Sequence, residues 1–269
     1  MTFFMNPIRE HAMPTGKYLS IFLTFHLWLA IGMVPVNGQT PVNMPAPESL
    51  HHPFDEILQR YVVGTRFDYD ALVKHPEDIR KLDAYIKSLE EIDPDSLNHN
   101  RALAYWINMY NAAILRLVIT NYPVQSIKAI KAWWVLPPWL KNVVKVNGKN
   151  LNLYEIENDI LRPQFKDARI HFAINCASIG CPPLWNHAYS GDKMDQQLDA
   201  AATRVINDPR WVTITPTEIR LTKIFDWYKE DFKADAGSIR AFLRRYLPEE
   251  QAALLDAGKP LVFFDYNWN

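Results

Sequence analysis

Both cysteines of this 269-residue chain fall within residues 169–184, R-I-H-F-A-I-N-C-A-S-I-G-C-P-P-L. Ile170, Phe172 and Ile174 alternate with Arg169, His171, Ala173 and Asn175, the period of a strand buried on one face. Cys176 stands where that strand runs out into turn chemistry, so Asn175, Cys176 and Ser178 are expected at a strand end, with Asn175 as a binding residue. A thiol enzyme needs a thiolate, a base within about 3 Å and a third group that orients the base. Cys176 is the candidate nucleophile, His171 the base, and Asn111 or Glu157 the orienting group. A straight strand opposes the pairing, because five residues span roughly 16 Å and odd and even positions face opposite sides. Either the strand bends after Phe172, or His187 supplies the base and His171 pairs with Glu157 as a separate acid/base couple.

A disulfide competes with the nucleophile. The spacing Cys176-x4-Cys181 closes a small loop if the two Cα atoms come within about 7 Å, and an oxidising compartment favours the bond. The spacing is not the Cys-x-x-Cys of redox motifs. His171, Cys176, Cys181 and His187 are metal-ligand types, but they lack the paired spacing of zinc sites; no metal and no cofactor are expected. If one sulfur reacts it is Cys176, since Pro182 and Pro183 leave no helix N-terminus after Cys181.

The elements that must hold these groups follow from periodicity. Residues 54–61 and 76–92 read as surface helices with one apolar stripe. Residues 100–120 are apolar almost all round, predicting a buried central helix on which Asn108 and Asn111, three apart, share a face. Two buried amides left unpaired cost about 1–3 kcal/mol each, so both are expected to be bonded. Both are expected to point into the core and contact residues 171–181, where they tie down loop backbone or one of them orients a catalytic histidine or an oxyanion. The stretch 132–140, with Trp133, Trp134 and Trp139, packs over that helix or forms an aromatic binding wall. Asn147-Gly148 between V-V-K-V and K-N-L-N-L marks a hairpin over 142–153. Residues 153–161 and 193–207 read as helices, and 211–214 with 218–222 as a second hairpin. Helices follow over 224–232 and 237–247, then a strand over 261–266. Without a βαβ rhythm this is α+β: a helical N-terminal part whose central helix packs on a mainly antiparallel sheet.

Arg9 and Lys17 precede an apolar run over 18–36, and Val36-Asn37-Gly38 supplies small residues for cleavage, so residues 1–38 read as a signal peptide. Retention as a membrane anchor is the alternative. Residues 39–53 form a proline-rich linker, and 54–269 a single domain. The net charge is −1, and removing Arg9, Lys17 and Glu10, a net of +1, leaves −2. That balance predicts no nucleic-acid partner and no membrane partner after cleavage. The compartment is periplasmic or extracellular.

The 169–184 stretch, with Y-W-I-N-M-Y-N-A-A (105–113), Y-E-I-E-N-D-I-L-R (154–162), I-F-D-W-Y-K-E-D-F (224–232) and D-Y-N-W-N (265–269), resembles the family of domain of unknown function 547 over roughly residues 54–269. Asn267 stands where the closing family motif has an acid. The resemblance implies no activity. Two functions stay open: a thiol-dependent hydrolase or acyltransferase with a papain-like arrangement, or a non-catalytic envelope module with a structural Cys176–Cys181 bridge. Its ligand would be a small molecule, peptide or glycan of the cell envelope.

Overall fold

The computed structural model describes residues 50–130, 137–256 and 258–269. The leader, most of the linker, Trp133 and Trp134 lie outside the described residues. Everything described belongs to one unit, Met44–Asn269.

The organising element is the helix His99–Thr120, buried along most of its length. Asn98 caps it by accepting from the Arg101 N–H at 3.0 Å, which satisfies one orphan donor of the first turn. We number the helices used below α1 (His52–Tyr61), α2 (Pro76–Glu90), α3 (His99–Thr120), α4 (Ile170–Ala173), α5 (Met194–Ile206) and α6 (Lys229–Ala236). Phe54, Ile57, Leu58 and Tyr61 of α1 and Leu82, Tyr85, Ile86 and Leu89 of α2 bury their stripes in the same apolar core as α3. At the end of α2, the Leu89 carbonyl accepts from the Tyr105 hydroxyl at 2.9 Å.

The fold is α+β, and its strands make three small sheets among the described residues. β1 (Val62–Val63) pairs with β2 (Arg66–Phe67), and β3 (Asn142–Val146) with β4 (Lys149–Asn152). At the β3–β4 turn Asn147 and Gly148 both take positive φ, 49° and 77°, as a type I′ hairpin requires. The third sheet runs β5 (Val212–Ile214), β6 (Ile219–Thr222), β7 (Leu261–Phe264). Its first pair is antiparallel and its second parallel. This sheet covers a second apolar core around Phe225, Phe232 and Phe242.

Two expected elements are different. Residues 169–175 do not form a strand; Ile170–Ala173 make the single helical turn α4, with Ile174 extended after it. The physical reason is double-sided burial. Ile170, Ala173 and Ile174 enter the core around α3, while Ala168 and Phe172 enter the second core. A turn wedged between two cores shows the same short apolar alternation as a half-buried strand. The helix expected over 224–232 is also divided, because Tyr228 leaves helical geometry between Ile224–Trp227 and α6.

Candidate functional site

Behind α4 lies a partly buried polar cluster. Asn152 and Glu155 form a capping box that starts the helical stretch 153–165, and its middle, Ile156–Leu161, is π-helical. There the Arg162 N–H bonds to the Glu157 carbonyl, an i→i+5 step that stacks these two residues on one face. Arg162 clasps Asp231 of α6, Nε to Oδ2 at 2.6 Å and Nη2 to Oδ1 at 3.0 Å. Its Nη1 donates to Asn158 at 2.7 Å. His171 Nε2 lies 2.8 Å from the same Asp231 Oδ2. A carboxylate only accepts, so Nε2 is the protonated nitrogen. The Tyr228 ring stacks on the imidazole at 3.8 Å between centroids, and its hydroxyl donates to Glu157. Tyr110 of α3 also feels the charge of Glu157.

The electrostatics follow from burial and charge. Burial opposes ionisation of Asp231, but His171 and Arg162 outweigh it and hold the carboxyl well below the usual range. Burial, reinforced by Glu157, raises the Tyr110 and Tyr228 hydroxyls well above the phenol value, so both remain donors. His171 is buried, and its Nδ1 has no hydrogen-bond partner.

Asn111 joins this cluster to a surface loop. Its Nδ2 donates to the Ala173 carbonyl and its Oδ1 accepts from the Asn175 N–H, both at 2.9 Å. Asn175 in turn donates to the Pro182 carbonyl and accepts from the Ala177 N–H, each at 2.8 Å. These bonds bring Cys176 and Cys181 together as a disulfide with Cα atoms 6.2 Å apart. The Cys176 N–H donates to Cys181 Sγ at 2.8 Å. The Tyr266 hydroxyl stands 3.1 Å from each sulfur and 3.1 Å from Ser178 Oγ.

The segment carrying Tyr266 clasps the loop through its backbone. The Ile179 N–H donates to the Asn269 carbonyl at 2.7 Å and the Gly180 N–H to that of Asn267 at 2.8 Å. Only glycine fits at 180, since a Cβ would stand 2.9 Å from the Asn267 oxygen. Burial raises the Tyr266 hydroxyl; its bond with Ser178 lowers it, and the charge of Glu157 raises it again. Glu157 thus acts electrostatically on both the cluster and the loop.

Tyr266 also opens onto two surfaces. On one, its ring meets Trp227 at 4.9 Å and Trp268 at 4.6 Å, and Trp139 meets Trp268 at 5.9 Å. Trp227 is 44% exposed. On the other, a cleft of about 490 Å³ is lined by Asn175, Ser178, Gly180, Cys181 and Tyr266 among others.

The sequence-derived candidates therefore separate. Cys176 is bonded to Cys181, and His171 meets Asp231 rather than Glu157, Asn111 or Cys176. Glu157 serves two tyrosines, and Asn111 holds backbone. Asn108, expected against residues 171–181, instead bonds the Tyr189 carbonyl at 2.8 Å and N–H at 2.9 Å. His187 contacts Asp55 at 3.2 Å and is half exposed. Tyr110, Tyr228, Asp231 and Tyr266 were not singled out in the sequence, although each lies inside a motif quoted above. Asp231 carried no signal apart from that motif.

Residues 94–206 match a family model described as "Protein of unknown function, DUF547". No curated protein and no solved structure matches the chain. The matched span holds Asn111, Glu157, Arg162, His171 and both cysteines, and ends before Tyr228, Asp231 and Tyr266. Across the span that carries most of the site, this chain is similar to the DUF547 family, whose description assigns no activity.

Proposed function

We propose that this chain is a secreted, non-catalytic binding module of the cell envelope, with a peptide or glycan held beside the disulfide loop. The observation that carries this reading is the loop itself: its two sulfurs are joined and its backbone is clasped by 267–269. A rigid loop flanked by a cleft and half-exposed indoles suits recognition, because little conformational entropy is lost on binding. Indole faces stack on sugar rings or peptide side chains. The basic, apolar leader supports secretion.

The test is titration of purified envelope fragments, including peptidoglycan fragments, followed by tryptophan fluorescence. Trp227→Ala should weaken binding at least roughly tenfold, the size expected of an aromatic anchor, while leaving the melting temperature in place. Unchanged binding, or a parent protein labelled by a thiol probe without reductant, defeats the module.

A second reading has its own observation. His171 holds Nε2–H against Asp231 and keeps Nδ1 unpaired, the disposition of a general base awaiting a proton donor. This supports a thiol-dependent hydrolase or acyltransferase of papain-like arrangement, with Cys176 reduced. Hydrolysis of amide or ester libraries that depends on both Cys176 and His171 would establish it.

A further inference from the structure

The disulfide is surrounded by hydrogen-bond donors that it does not need as a passive bridge. Cys181 Sγ receives the Cys176 N–H at 2.8 Å, the Tyr266 hydroxyl lies 3.1 Å from both sulfurs, and Ser178 Oγ lies 3.2 Å from Cys176 Sγ, so the backbone N–H is the donor that distinguishes Cys181. A neutral disulfide sulfur is a weak acceptor, whereas a thiolate is a strong one. The two residues also differ in exposure, although it is Cys181 that borders the cleft. Cys181 is 7% exposed, whereas Cys176 is partly exposed, and it is followed by the small Ala177 in a left-handed conformation, φ 57°.

We propose that the Cys176–Cys181 bond is a thiol–disulfide exchange site, attacked at Cys176 by a low-molecular-weight thiol, with Cys181 leaving as the stabilised thiolate. The incoming thiol loses its proton to solvent, and its sulfur forms a bond to Cys176 Sγ. The Cys176–Cys181 bond breaks, and its electron pair passes to Cys181 Sγ. The products are a mixed disulfide on Cys176 and a Cys181 thiolate, so the external thiol is oxidised and Cys181 reduced. Burial keeps Tyr266 protonated, so it stabilises the leaving thiolate as a donor without surrendering its proton. Exchange is faster when the leaving thiolate is stabilised, and the backbone donor fixes which sulfur leaves. The inference goes beyond ligand recognition and does not rest on it, since it needs only the bond, its donors and the access to Cys176.

The experiment uses the folded full chain and reduced glutathione. The reaction is acid-quenched, remaining thiols are capped with iodoacetamide, and the cysteine peptides are mapped by mass. Glutathione on Cys176 with the alkyl group on Cys181 is the expected result. The reverse placement overturns the proposal, as does the absence of any adduct until denaturant is added. Tyr266→Phe should slow adduct formation roughly three- to tenfold, the loss of one hydrogen bond to a developing anion. An unchanged rate overturns the proposal equally. If that variant does not fold, the position of the adduct on the unaltered chain decides alone. Fragment titrations on the oxidised protein report the binding reading separately.

Discussion

The cluster around His171 and the loop closed by Cys176 and Cys181 are fed by one stretch of chain, yet they are held by opposite means. In the cluster, charged and phenolic side chains from four segments meet partly shielded from water: Tyr110, Glu157 with Arg162, His171, and Tyr228 with Asp231. In the loop, no ion pair fixes the shape; backbone N–H groups, the Asn111 and Asn175 amides, a covalent bond and a tyrosine hydroxyl do. Asn111 stands between them, taking Ala173 on the cluster side and Asn175 on the loop side. The comparison teaches that a site can join a part whose cost of disruption is electrostatic to a part whose cost is conformational.

The largest effect is expected inside the cluster. Asp231→Ala leaves Arg162 and buried His171 without their shared carboxylate and should cost about 3–5 kcal/mol in urea unfolding. A smaller loss would mean that Arg162 and His171 find other partners. The same carboxylate sets an acid dependence. Its folded pKa is depressed, so its stabilisation is complete above the unfolded value near ~4 and is lost as pH falls through the folded value. Asp231→Asn should flatten the acid limb of the stability curve below about pH 4, and an unaltered limb would remove the ion pair from the account.

Next comes the joint between the regions. Asn111→Ala orphans one carbonyl and one N–H, an expected loss of roughly 2–4 kcal/mol. Hydrogen exchange should quicken at Asn175 and Ala177 and stay slow at Tyr189, which Asn108 holds. Opening the loop should cost less. The Cys176→Ser, Cys181→Ser double variant removes closure of a short loop, worth about 2 kcal/mol, visible as a lowered melting temperature. Equal losses from this variant and Asp231→Ala would erase the distinction between the regions.

The smallest effect is expected at the clasp. Gly180→Ala forces the Asn267 backbone outward and should cost roughly 1–2 kcal/mol. The loop should stay closed while the fluorescence of Trp268 and Trp227 changes.

Periodicity made much of the fold legible. The central helix reads from its all-round apolar character, the β3–β4 hairpin from Asn147-Gly148, and the sheet that ends in β7 from short β-rich runs. These features are local, so composition within a dozen residues suffices to specify them. The segment 169–175 reads as a strand because alternation records which residues are buried, yet α4 is buried by two cores on different sides. A single strand face and a wedged turn leave the same trace when only a few residues are sampled.

The site divides along the same line. Sequence alone determined that the chemistry-bearing residues crowd into 169–184, that Asn108 and Asn111 must be bonded inside a buried helix, and that the cysteine spacing permits a short bridge. Tertiary structure decided the partners: Asp231 lies sixty residues from His171, and Tyr266 eighty-five from Cys181. A side chain's type and local period fix what it can donate or accept and how deeply it is buried. Which distant group meets it depends on how helices and sheets pack, and no short window of sequence contains that geometry.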